Sequence, residues 1–154
     1  MEDKHVYAFS GTIFKNVIAR LEETMGADTI RAVFRLVGTN LGKNALERIK
    51  DNKNISKCTL GEFAKIFVDE VIAPVTGSDG VTLKNSSPNE VEIDILVCPF
   101  QKLGFDVSNK FCCTYTEGLI GRFFEEKLGK DSQLRIKSLK SNGDNKCSFQ
   151  ISKL

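Results

Sequence analysis

Four of the chain's five cysteines, Cys98, Cys112, Cys113 and Cys147, fall between residues 98 and 147. A thiol offers metal ligation, redox exchange or nucleophilic attack according to its surroundings. Cys113 sits near the start of a predicted helix, where free amides and the helix dipole lower a thiol's pKa. Cys112 points about a quarter-turn aside, so either can serve as a ligand but both on one ion would be strained. Cys147 alternates with Phe149 and Ile151 and should face the core side of the last predicted strand. Cys98 ends an earlier strand beside Pro99, on a chain reversal that frees its side chain from the ladder. Cys98, Cys113 and Cys147 are therefore expected to converge between a sheet and a helix. Zinc suits such a thiolate-rich site, with a carboxylate or water in the fourth position. No Cys-x-x-Cys pair occurs, and redox-active thiols or buried structural cysteines remain open alternatives. Cys58 stands far in sequence from the others and reads as incidental.

General bases are scarce. The one histidine, His5, lies in a tail expected to be poorly ordered. Glu117 follows Cys113 by one helical turn and shares its face, as a ligand, an acid/base or a solvated carboxylate. Glu125 and Glu126 read as surface charges, and no phosphate-cradling glycine loop is present. Aromatic residues crowd the same stretch: Phe100, Phe111, Tyr115 and Phe123 are the side chains expected to line an apolar ligand cavity between helix and sheet.

These residues need elements to position them. Phe9, Ile13, Phe14, Val17, Ile18, Leu21 and Met25 recur at helical spacing and predict a first helix ending near Gly26. A second, from Ala27 or Asp28, carries Ile30, Val33, Phe34, Val37, Leu41, Ala45 and Ile49 inward and closes in the polar run 50–54. Gly38 and Gly42, one turn apart within it, point to a close helix crossing, since glycine costs a helix interior about 1 kcal/mol relative to alanine. Thr59 and Glu62 have capping-box spacing ahead of a third helix running to about Ala73, before Pro74. The period then becomes alternating. Residues 81–84 and 90–97 predict an antiparallel hairpin with Glu92 and Asp94 on a wet face. A fourth helix spans roughly 108–128, stopped by Gly129. Two last strands, 134–139 and 146–152, are joined around Asn142-Gly143, with Gln133 as a possible extra residue. The fold class expected is α+β: three N-terminal helices, then hairpin, helix and hairpin, forming an antiparallel sheet packed on helices.

At 154 residues, with 41% hydrophobic and 27% charged positions, the chain reads as one compact domain. The net charge of +2 is spread evenly, which disfavours direct nucleic-acid binding. No apolar run reaches a membrane span, and the first residues lack a signal peptide's features. A cytoplasmic setting with reduced thiols is the expectation.

The runs 113–121 (Cys-Thr-Tyr-Thr-Glu-Gly-Leu-Ile-Gly) and 143–151 (Gly-Asp-Asn-Lys-Cys-Ser-Phe-Gln-Ile) resemble the vinyl-4-reductase domain family over about the last third of the chain. The resemblance implies a mixed α/β domain, related in fold to vesicle-tethering complex subunits. Such a domain binds hydrophobic or aromatic small molecules, often as a sensor and commonly as a homodimer. It also implies zinc held through Cys113 and Cys147. The strand positions that supply a glutamate and a cysteine in phenol-sensing members are here Ile136 and Leu139, which bind no metal, and Cys98 is the substitute we infer. The pattern Cys98-Pro99-Phe100, Cys113, Gly143 and Cys147-Ser148-Phe149 also resembles aminothiazoline-carboxylate hydrolase-like proteins, which implies a metal- or cysteine-dependent hydrolase as the alternative. The poor supply of bases favours a binding domain over an enzyme.

Overall fold

A computed structural model describes residues 2–154. Helix α1 (Glu2–Met25) begins well before Phe9, so His5 lies in a helix rather than a tail. Helix α2 (Ala27–Asn52) follows after Gly26, whose φ of 80° reverses the chain at once. At α3 (Leu60–Phe67) the capping box is formed: the Thr59 amide donates to Glu62 Oε2 at 2.7 Å, and the Glu62 amide donates to Thr59 Oγ1 at 3.3 Å.

The chain does not stop at Ala73. A π-helical turn (Val68–Ile72) passes it into α4 (Ala73–Thr76), with the Ala73 amide donating to the Val68 carbonyl. Pro74 has no amide to give the preceding turn, and widening by one residue puts it in the first turn of a new helical piece, where none is needed.

Strands β1 (Val81–Ser87) and β2 (Glu90–Ile95) form the first hairpin. A short helix α5 (Pro99–Lys102) and the long α6 (Phe111–Leu128) intervene before β3 (Ser132–Ser138) and β4 (Cys147–Lys153). The sheet is antiparallel in the order β1-β2-β4-β3. The link from β3 to β4 is not a tight turn. A 3-10 turn (Lys140–Asn142) and Gly143 at φ 91° carry the chain over residues 139–146. Gln133 pairs in register with Ser152, and the irregularity of β3 lies instead between Ile136 and Ser138; β1 has its own between Asn85 and Ser87.

One face of the sheet presents Val91, Ile93, Phe149 and Ile151 to Phe63 and Phe67 of α3 and to Ile120, Phe123 and Phe124 of α6, all buried. Helices α2 and α6 cross at backbone contact. A Cβ on Gly38 would stand 2.0 Å from the Tyr115 carbonyl oxygen, one on Gly118 2.4 Å from that of Arg35, and one on Gly42 2.7 Å from that of Leu119. Packing is thus the reason for the glycines in α2. Helix α1 has no such engagement: Ile18 reaches a small buried cluster with Ile30 and Phe111, while much of the predicted stripe stays exposed.

The other sheet face is not simply wet. Asp94 is 2% exposed, and its Oδ2 accepts from Lys146 Nζ at 2.6 Å and Lys84 Nζ at 2.7 Å. Glu92 lies beside it, bound by Lys84 and Lys137. Burial pushes the Asp94 carboxyl up, but the Lys146 and Lys84 bonds outweigh it and hold the group at about 2. A folded value below the unfolded one of about 3.9 contributes stability above about pH 4 that is lost as pH falls towards 2. Urea unfolding from pH 5 to 2 should therefore show a steep loss of stability, and Asp94→Asn should flatten part of it. An unchanged slope in the variant would contradict the assignment.

Candidate ligand cavity

The sequence concentrates its thiols where the fold leaves a hollow. A cavity of about 560 Å³ lies among α1, α2, the π-helical turn with α4, α6 and the sheet end. Cys98, Cys112, Cys113 and Cys147 all border it. They arrive from three places: the end of β2, the first turn of α6 and the start of β4. Phe100 and Tyr115 also border it, with ring centroids 5.5 Å apart at 82°, an edge-on contact. The remaining lining is aliphatic or aromatic apart from Thr76, Thr116, Lys140 and Ser141.

Two expected lining residues sit elsewhere. Phe123 is fully buried among Phe63, Phe67 and Phe124 in the main core. Phe111 packs with Ile18 and Ile30 and borders a smaller recess beside Phe105. Glu117 is bound by Arg35, whose Nη2 donates to Oε2 at 2.8 Å, tying α6 to α2. Cys58 is remote, its thiol 3.8 Å from the Asn54 carbonyl.

Contributions from α1 and the π-helical turn went unread in the sequence. Phe14, Val17 and Leu21, and Val71 and Ile72, line the cavity. A signal existed for each. The apolar arc of α1 is wider than one buried face requires, and Pro74 inside a helical pattern marks a local irregularity.

Burial raises three of these thiols, Cys112, Cys113 and Cys147, above the ordinary thiol pKa. Burial pushes Cys112 up to about 12, with Cys98 and Cys113 adding to it. Burial likewise takes Cys147 up to about 11 against the Lys140 amide, which donates to its Sγ at 3.3 Å. Cys113 is raised by burial too, its thiol donating to Ser141 Oγ at 3.3 Å. The helix start therefore does not lower Cys113: desolvation exceeds the dipole, and the Phe111 amide is already taken by Asn109 Oδ1 at 3.1 Å. Tyr115 is raised by the same burial. Among the described residues no group of three His, Cys, Asp or Glu side chains stands close enough to hold one metal ion. No described helix is long and apolar enough to cross a membrane.

Neither a protein-family model nor a curated protein matches the chain by sequence. Solved structures do match in fold. A trafficking protein particle complex subunit 3 from Naegleria fowleri, covalently bound to palmitic acid, is similar at TM-score 0.64 and 12% identity, over 98% of this chain and 96% of that one. The phenol-responsive sensory domain of the transcription activator PoxR, with phenol, is similar at TM-score 0.62 and 18% identity, over 96% of this chain and 74% of that one. The chain thus shares the α+β fold of two proteins that hold hydrophobic small molecules.

Proposed function

We propose that this protein is a ligand-binding domain of the sensor kind, taking a hydrophobic or aromatic small molecule into the thiol-walled cavity. The observation that carries this reading is the cavity itself, whose size falls in the usual range for ligand pockets and whose lining is almost wholly apolar. A void of about 150 Å³ is enough for benzene, so about 560 Å³ favours an elongated guest such as an acyl chain over phenol. Both neighbours in fold, one with palmitic acid and one with phenol, support an apolar guest. The vinyl-4-reductase resemblance points the same way, and a homodimer acting in the cytoplasm belongs to this reading. The hydrolase alternative is less well supported, because the cavity lining contains no His, Asp or Glu to serve as a base for its thiols.

Fluorescence titration with cis-parinaric acid, a polyene fatty acid, is expected to show saturable binding near one per chain. Val71→Trp, which projects bulk from the π-helical turn into the cavity, should weaken it at least tenfold while phenol binding suffers less. No saturable binding of either compound would overturn the proposal.

Zinc on Cys98, Cys113 and Cys147 is a second reading, favoured by one observation: all three side chains border the same cavity. A cation would bind them as thiolates once the side chains closed on it, with release of the thiol protons. Metal analysis of protein purified without added metal should then find zinc near one per chain, lost in Cys98→Ser, Cys113→Ser and Cys147→Ser alike. Metal-free protein that still takes up the fatty acid would remove zinc from the account.

A further inference from the structure

The cavity is not enclosed. Phe14, Val17, Leu21, Val33 and Val37 line it, yet each keeps between 40% and 47% of its surface accessible. The wall made by α1 and α2 is therefore open to solvent. The same residues belong to a stripe that runs on past the cavity: Phe9, 68% exposed, and Ile13 extend it along α1, and Leu36 and Leu41 widen it on α2.

A monomer rarely leaves so much apolar surface uncovered. Twelve large apolar side chains of α1 and α2 are exposed; at about half exposure each, they present on the order of 1,000 Å², above the roughly 800 Å² per partner of a standard stable interface. The charges of α1 do not suit a lipid surface as the cover. In the sequence of α1 the acids Glu2, Asp3, Glu22 and Glu23 outnumber Lys4, Lys15 and Arg20, whereas adsorption to an anionic membrane calls for a basic edge. A two-fold axis, by contrast, sets one stripe against its copy, so each apolar residue meets another.

Building on the ligand reading above, we propose that α1 of a second copy closes the open side of the cavity. The dimer is then the unit that binds ligand. Two cavities are completed together on pairing, and each copy contributes part of its partner's wall. Because linkage is reciprocal, ligand tightens the pair by the factor by which pairing tightens ligand.

The test uses the intact chain, with sedimentation velocity and cis-parinaric acid titration at matched protein concentrations. Phe9→Asp and Ile13→Asp alter the stripe outside the cavity lining. The wild type should be a dimer, further tightened by the fatty acid, and each variant a monomer with at least tenfold weaker binding. Helical circular dichroism checks that the variants fold. Dilution of the unmodified protein through its own dimer–monomer transition should lower the affinity in the same way, with no substitution involved. A wild-type monomer that binds the probe, monomeric variants with wild-type affinity, or affinity indifferent to dilution would each overturn this inference and leave the ligand reading standing. A wild-type dimer with no probe binding would instead overturn the ligand reading, and this inference with it.

Discussion

Gly38→Ala should destabilise the protein by about 3 kcal/mol, at the upper end of what overpacking usually costs, although alanine is the better helix former. Two effects oppose each other at this position. Relief of glycine's backbone entropy in the middle of α2 favours alanine by about 1 kcal/mol. Against it, the new methyl would stand 2.0 Å from the Tyr115 carbonyl oxygen. That oxygen is helix backbone, so it cannot rotate aside as a flexible side chain would, and α2 and α6 must separate along their whole contact. The clash wins. The separation would also pull apart Gly118 and Arg35, whose close approach depends on the same crossing. Gly121→Ala is the matched control on α6: its methyl would meet Leu134 at 4.0 Å, an ordinary contact, so the propensity gain of up to about 1 kcal/mol is left unopposed. Urea midpoints at constant m-value measure both. Equal midpoints for Gly38→Ala and the wild type would mean that the helices can move apart freely.

Phe123→Ala carries the second large effect, a loss of about 3 to 5 kcal/mol, the usual range for deleting a buried aromatic side chain. Phe123 is 0% exposed and packs within 5 Å, centroid to centroid, of both Phe63 and Phe67. The hole would lie in a core bounded by α3, α6 and the sheet. Ligand affinity is where this variant becomes informative. As Phe123 lies outside the cavity lining, variant protein that is still folded at low temperature should bind the fatty acid within about threefold of the wild type, a difference of about 0.6 kcal/mol. Phe123→Leu, which keeps most of the volume, allows the same comparison with less loss of stability. A large fall in affinity with little loss of stability would return Phe123 to the ligand site.

That case shows how far the sequence could be read. Phe111, Tyr115, Leu119 and Phe123 make one stripe on α6, and periodicity tells that the stripe is buried without telling what buries it. Tyr115 and Leu119 meet the cavity, while Phe123 meets α3. The order of elements, the capping box at Thr59 and the close crossing at Gly38 were legible because each rests on contacts between near neighbours or on a residue type with one main use. The convergence of Cys98, Cys113 and Cys147 on a single hollow was also legible, from strand alternation and helix phase. The raised pKa of Cys113 and Cys147 was not, since it depends on how much of each thiol distant segments cover. The placement of β4 between β2 and β3, the π-helical turn and the loose seating of α1 are likewise settled by partners remote in sequence.

Both register irregularities of the sheet lie on β1 and β3, the strands that have no outer neighbour. A bulged edge with lysines such as Lys84 and Lys137 along it is a poor template for another chain's backbone. Growth by strand addition, the open-ended route towards fibres, is thus discouraged at both ends. The apolar surface that remains for self-association is helical, and symmetric pairing there uses up the surface it creates. Whatever this chain assembles into is therefore directed to stop.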